Sequence, residues 1–171
     1  MKFTGTLALL ATVASAQVVI VPTGPVRGPN TLVFKEIGGV KNNECLTFTN
    51  DGTIVNAACA NGHADRQITP SKILGTDVLI IQRSFLQPFR PDLVGKTACV
   101  AYNGTTFRAE DCANRSVLTT YFDVGNGRIV ANGDGWPACL SGHDSRAIVT
   151  VDDTGRKCAQ FTITAVNPTK P

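Results

Sequence analysis

Six cysteines, Cys45, Cys59, Cys99, Cys112, Cys139 and Cys158, are the residues whose type and spacing speak most directly of chemistry. Taken in order as pairs, they lie 14, 13 and 19 positions apart. A thiolate can hold a metal, attack a substrate or close a disulfide. Zinc sites favour Cys-x-x-Cys pairs or clustered histidines. This chain has no such pair, and its two histidines, His63 and His143, stand alone. No metal and no cofactor is therefore expected. An even cysteine count behind an export signal reads as a disulfide framework.

Other residues invite a catalytic reading and do not sustain it. His143-Asp144-Ser145 holds the three residue types of a hydrolase triad in a row. Consecutive side chains on a strand point to opposite faces, so the cluster reads as a polar turn. Glu110, Asp111, Asp123, Asp134, Asp152 and Asp153 mostly sit beside glycines or at turn ends, where aspartate is a turn former. No catalytic residue is assigned, and the chain is read as non-enzymatic.

Three segments have the make-up of a binding site. Asn132-Gly133-Asp134-Gly135-Trp136-Pro137 places the sole tryptophan beside an acid and an amide. An aromatic face with polar groups beside it suits a sugar ring, so Asn132, Asp134 and Trp136 are the ligand-binding candidates. The competing reading buries Trp136 at the bottom of a barrel. Tyr102 with Asn103 is a weaker sugar candidate. Phe85-Leu86-Gln87-Pro88-Phe89-Arg90-Pro91-Asp92 has prolines that limit flexibility and apolar or basic side chains to fill a specificity pocket, as a protease-inhibiting loop requires. Asn103-Gly104-Thr105 and Asn114-Arg115-Ser116 match the N-glycosylation acceptor, marking Asn103 and Asn114.

The elements that position these residues follow from patterning. Lys2, the apolar run Leu7 to Val13 and Ala14-Ser15-Ala16 form a secretory signal peptide over residues 1–16. The run is shorter than the about 20 residues needed to span a bilayer. Residues 17–30 carry three prolines and two glycines, so they form an extended arm and no central strand. Short runs rich in β-branched and aromatic residues then recur: Leu32 to Phe34, Leu46 to Phe48, Thr53 to Val55, Val78 to Ile81, Cys99 to Tyr102, Val117 to Val124, Ile129-Val130, Ala147 to Val151 and Phe161 to Val166. Asn50-Asp51-Gly52, Asn103-Gly104, Gly125-Asn126-Gly127 and Asp153-Thr154-Gly155 punctuate them. No stretch keeps a helical apolar period. The expectation is one all-β domain over 31–166, with a polar tail at 167–171. The net charge of +3 is spread along the chain and forms no basic stripe, so no nucleic-acid partner is expected, and no membrane partner either.

A repeat sharpens this. Cys45-Leu46-Thr47-Phe48, a turn, a strand and Cys59-Ala60-Asn61 match Cys99-Val100-Ala101-Tyr102, a turn, a strand and Cys112-Ala113-Asn114; Cys139-Leu140 opens a looser third copy ending at Cys158. Two strands joined by a tight turn bring their outer ends about 4.5–5.5 Å apart, within disulfide reach. The expected bridges are Cys45–Cys59, Cys99–Cys112 and Cys139–Cys158, one per repeat.

These repeats, together with Phe122-Asp123-Val124-Gly125-Asn126-Gly127-Arg128-Ile129 leading into Cys139-Leu140, resemble the β-trefoil of ricin-B-type lectins over roughly residues 31–166. The resemblance implies a trefoil-like barrel of three pseudo-repeats stapled by disulfides. It also implies a secreted, extracellular or wall-associated protein that binds a glycan or cell-wall polysaccharide. The family's Gln-x-Trp marks are missing at Asp65 to Thr69, Thr120 to Phe122 and Ala159 to Phe161. Its sugar-binding aspartate is replaced by Thr47, Ala101 and Ser141. Other trefoils, such as Kunitz-type protease inhibitors, keep the scaffold without the sugar site. A protein-binding inhibitor or host-directed effector is therefore the alternative expectation.

Overall fold

A computed structural model describes residues 24–133, 135 and 137–169. The protein is all-β, with 46% of the described residues in strands or bridges and no α-helix among them. Twelve strands fall into three groups of four. The first group is β2 (Thr31–Glu36), β3 (Cys45–Phe48), β4 (Ile54–Ala57) and β5 (Gln67–Ile73). The second is β6 (Thr76–Ile81), β7 (Ala98–Tyr102), β8 (Phe107–Asp111) and β9 (Leu118–Asp123). The third is β10 (Arg128–Ala131), β11 (Cys139–His143), β12 (Val149–Asp152) and β13 (Phe161–Val166). A two-residue edge strand, β1 (Val26–Arg27), precedes them.

The pairing repeats from group to group. The middle strands form the hairpins β3–β4, β7–β8 and β11–β12. The first strand of each group pairs with the second. The fourth strand pairs with the first of the next group, as β5–β6 and β9–β10. The last strand, β13, pairs with β2 along its whole length, from Phe161–Glu36 to Val166–Thr31.

Each group carries one disulfide, in the sequence order expected: Cys45–Cys59, Cys99–Cys112 and Cys139–Cys158. Their Cα atoms lie 5.0, 5.0 and 5.5 Å apart, the separation that facing hairpin strands provide. Three disulfides are typical of extracellular proteins. No helix among the described residues is long and apolar enough to cross a membrane.

Alternate residues of the strands point inward and build one main core, with Phe34, Leu46, Phe48, Ile54, Ile68, Leu79, Leu93, Val100, Ile129 and Leu140 buried. Phe34 meets Phe122 edge-on at 4.9 Å between ring centres. A smaller cluster of Val78, Ile80, Cys99 and Cys112 packs around the second disulfide.

The structure departs from the sequence reading at three places. β5, which holds Pro70, is absent from the strand runs expected from the sequence. Pro70 faces Leu79 of β6, while on the other side β2 pairs only as far as Ile68 and β1 begins at Ser71. The missing proline donor falls in the gap between them, where none is needed. Gly28 closes that gap: a Cβ there would stand 2.0 Å from the Pro70 carbonyl oxygen. The β5–β6 turn is Leu74-Gly75, both with positive φ (49° and 86°), a geometry a leucine rarely announces. β12 starts two residues later than expected, because Asp144 to Ile148 are taken up by a turn.

The described parts of the expected arm (24–30) and tail (167–169) are tied in. Arg27 donates to Gln82 Oε1 at 3.0 Å, and Gln82 Nε2 donates to the Thr169 carbonyl at 2.8 Å. Gln67, fully buried, donates to the Asn61 carbonyl and to Thr169 Oγ1, and accepts from the Thr169 amide.

Candidate functional site

The ligand candidates from sequence separate on the fold. Asp134 and Trp136 lie outside the described residues. Asn132 follows β10; its Nδ2 donates to the Asp77 carbonyl at 3.3 Å and its amide to Thr119 O at 2.6 Å. It borders a groove of about 530 Å³ with Ile73, Leu74, Leu118 and Asn114 on its walls. Tyr102 is corrected. It is buried, tilted against Phe107 at 4.9 Å, and its hydroxyl donates to Gly104 O, so it offers no open face to a sugar. Burial also raises its phenol above the ordinary range. Asn103 is exposed, and its Oδ1 accepts from the Thr105 and Thr106 amides, which leaves the amide nitrogen outward. Asn114 is half-buried and caps Ser116 in the same way.

Of the positions where the lectin family carries its aspartate, Thr47 and Ala101 are buried and Ser141 is half-buried. The Thr47 hydroxyl donates to Cys45 O, and Ser141 donates to Thr150. Of His143-Asp144-Ser145, the last two lie in the expected polar turn, where Asp144 Oδ1 accepts from the amides of Arg146 and Ile148, while His143 is the last residue of β11 and pairs with Val149. Among the described residues no three His, Cys, Asp or Glu side chains are grouped to hold a metal.

The connection between β6 and β7 is the best-built surface feature. Three of its side chains are driven into the protein: Phe85, Arg90 and Leu93, with 3%, 5% and 1% exposure. Arg83 clamps its start, donating to Phe48 O and to Asn50 Oδ1 (2.8 Å) while lying 5.1 Å from the Phe85 ring centre. Arg90 clamps its end. Its guanidinium donates to Ala109 O (2.7 Å) and Asp51 O (3.4 Å), and it pairs with Asp92 (2.6 Å) and Glu110 (3.3 Å). The bond from Arg90 holds the Asp92 carboxyl below its ordinary range, and Asp92 raises Arg90 in return. The amides of Phe89 and Arg90 both donate to Leu86 O, so the tip 86–89 is a closed turn. Leu86 and Phe89 stand out from it, 68% and 55% exposed. The sequence reading offered apolar or basic side chains here. The structure withdraws the basic one, because Arg90 is an internal strut, and leaves two apolar knobs on a fixed base.

A second arrangement was not foreseen. Glu36 at the end of β2, Asn56 on β4 and His143 at the end of β11 converge. His143 Nδ1 lies 3.0 Å from Glu36 Oε2 and 3.1 Å from Asn56 Nδ2, and Asn56 donates to Glu36. Asn56 is 4% exposed, and its Oδ1 has no partner. The cluster opens onto a cleft of about 660 Å³ between the β2–β3 and β11–β12 connections. The signal was present in the alternation. Glu36 shares a face with Phe34, and Asn56 shares one with Ile54, so each is a polar residue on a core-facing position.

No protein-family model matches this chain, and no curated protein matches it.

Proposed function

We propose that this chain is a secreted, non-enzymatic binding protein on a β-trefoil scaffold of the ricin-B kind, and that it grips an extracellular protein through the loop 85–92. The scaffold reading is supported by the pairing that recurs in three disulfide-bearing groups and by the return of β13 to β2. The loop carries the functional reading. A tip held by buried Phe85, Arg90 and Leu93 loses little entropy on docking, and large apolar residues on a rigid base are what binding hot spots are made of. The partner favoured by this shape is an endopeptidase with an apolar specificity pocket, because Leu86 and Phe89 are outward and Arg90 is not. Residues 1–16 act as the export signal, and Asn103 and Asn114 as glycan acceptors in a eukaryotic secretory pathway.

The test is inhibition across endopeptidases that select apolar, basic or acidic residues. Inhibition confined to the apolar-selecting class, and lost when Leu86 and Phe89 are both changed to Asp, supports the reading. No inhibition of any class overturns it. Carbohydrate or wall binding is the second reading, favoured by Asn132 on the edge of a groove and by the sequence Asn132-Gly133-Asp134-Gly135-Trp136. Retention on chitin or glucan that Trp136→Ala abolishes is its sign.

A further inference from the structure

The geometry points to an interaction surface on β13: its free edge pairs with the same edge of a second copy of this chain, antiparallel, across a twofold axis at Thr164. Among the described residues β13 pairs with β2 alone. In an antiparallel ladder, successive residues direct their backbone groups to opposite sides of the strand. Two bonds fix the phase here. The Ile37 amide donates to Gln160 O, on the β2 side, and the Phe161 amide donates to Gly127 O, on the other side. Thr162, Thr164 and Val166 therefore direct their backbone groups to β2, and Ile163 and Ala165 turn theirs outward. Thr162 to Ala165 are all exposed, Ile163 by 43%.

The other outer strands are protected. β4 is met by Ala147 and Ile148, β8 carries Arg108 and Glu110, and every residue of β12 is half-buried. β13 has no charge, no proline and no bulge, the devices that keep sheet edges from pairing. Its threonine, isoleucine and valine side chains favour a strand. A second copy is the occupant because this edge complements itself. Ile163 and Ala165 flank Thr164, so a copy turned through a half-circle sets Ile163 against Ala165, Ala165 against Ile163 and Thr164 against its own counterpart. Each Ile–Ala pair then exchanges both of its N–H···O bonds. A large side chain meets a small one in each, and the central Thr–Thr pair is a favourable one. No like charges meet anywhere along Phe161–Val166. An interface this short lies at the transient end of the size range. The dimer therefore forms at high local concentration, and it carries two 85–92 tips per particle.

The experiment is sedimentation equilibrium of the chain from Gln17 onward, between about 10 μM and about 1 mM. The apparent mass should climb toward that of a dimer. Ala165→Pro removes one outward donor and no bond to β2, and should weaken association about tenfold or more. Thr164→Lys and Thr164→Asp should each do the same, by setting like charges face to face across the axis. Mixed in equal amounts, these two variants should associate again, which only a twofold contact at Thr164 explains. Retained hydrogen-exchange protection of the β2 amides separates lost pairing from lost folding. Leu86→Asp should leave association unchanged, so failure of the loop reading and failure of this one are distinguishable. A chain that stays monomeric to about 1 mM, a dimer abolished by Leu86→Asp, or a Lys and Asp mixture that does not associate overturns the assignment. So does an edge whose Ile163 and Ala165 amide resonances move only when an extended Val-Thr-Val-Thr-Val peptide is added, since the occupant is then another protein's strand.

Discussion

Replacing Arg90 by alanine removes the strut that holds the 85–92 loop to the β3–β4 turn and to β8. Three losses can be weighed. The Ala109 carbonyl loses a charged donor at 2.7 Å in a buried setting, about 1–3 kcal/mol. Glu110, mostly buried, loses one cation but keeps Arg108 at 2.6 Å, so the full penalty of about 3–5 kcal/mol for orphaning a buried charge is not reached. Asp92 is more than half exposed, and its pair with Arg90 adds only about 0–1 kcal/mol. Together these place the cost near 2–4 kcal/mol, or roughly 4–16 °C in Tm for a chain of this size. Urea unfolding with the disulfides intact measures it, and Arg90→Lys is the comparator. Lysine keeps the charge without the planar fork, so it should recover part of the loss. A destabilisation under about 0.5 kcal/mol for Arg90→Ala would refute the view of Arg90 as a strut.

Further outcomes follow from the same reasoning. Asp152 is held down to about 2 by bonds from the Thr154 hydroxyl and from the Lys157 and Thr154 amides, against an ordinary 3.8. A depressed carboxyl stabilises the fold above its unfolded value, and the contribution is lost as pH falls through the folded value. Asp152→Asn should therefore flatten the acid limb of a stability profile between about pH 4 and 2. Removing Cys99 and Cys112 together should cost about 3 kcal/mol or more, because the bridge closes a loop and also fills the cluster with Val78 and Ile80; chemical denaturation reads this directly. Protein made in a eukaryotic secretory host should lose mass on N-glycosidase treatment, and Asn103→Gln should remove most of that loss. Gly28→Ala should destabilise the β1–β5 edge, seen as faster hydrogen exchange at Arg27 and Ser71, since the new methyl meets the Pro70 carbonyl.

Local features were legible in the sequence, and long-range ones were not. A hairpin with cysteines at its outer ends dictates its own bridge, so Cys45–Cys59 and Cys99–Cys112 needed no knowledge of the rest of the fold. Cys139–Cys158 followed by analogy despite its longer loop. β5 was not among the strand runs named from the sequence; its Pro70 is tolerated because it lies opposite a gap between two partners, and that cannot be read from the chain alone. Phe85 and Arg90 read as display residues from composition alone. Only the position of the Ala109 and Asp51 carbonyls makes Arg90 an internal group. The Glu36–Asn56–His143 cluster joins residues up to 107 positions apart from different strand groups. The alternation marked Glu36 and Asn56 as polar residues facing inward, but periodicity carries no information about which of them meet.

Gln82 receives Arg27 on its oxygen and hands its nitrogen to Thr169, so the first and last described segments of the chain converge on one side chain. Segments that lie together in this way can be joined without redesigning the interior. A short Gly-Ser connector from Thr169 to Gly24, with the backbone reopened at the exposed Asn103-Gly104 turn, turns the molecule into a circular permutant. Its cargo ports then move from the Gln82 corner to the tip of the β7–β8 hairpin. A reporter or surface anchor fused there leaves the 85–92 loop its existing scaffold, and the same protein can be displayed from either corner.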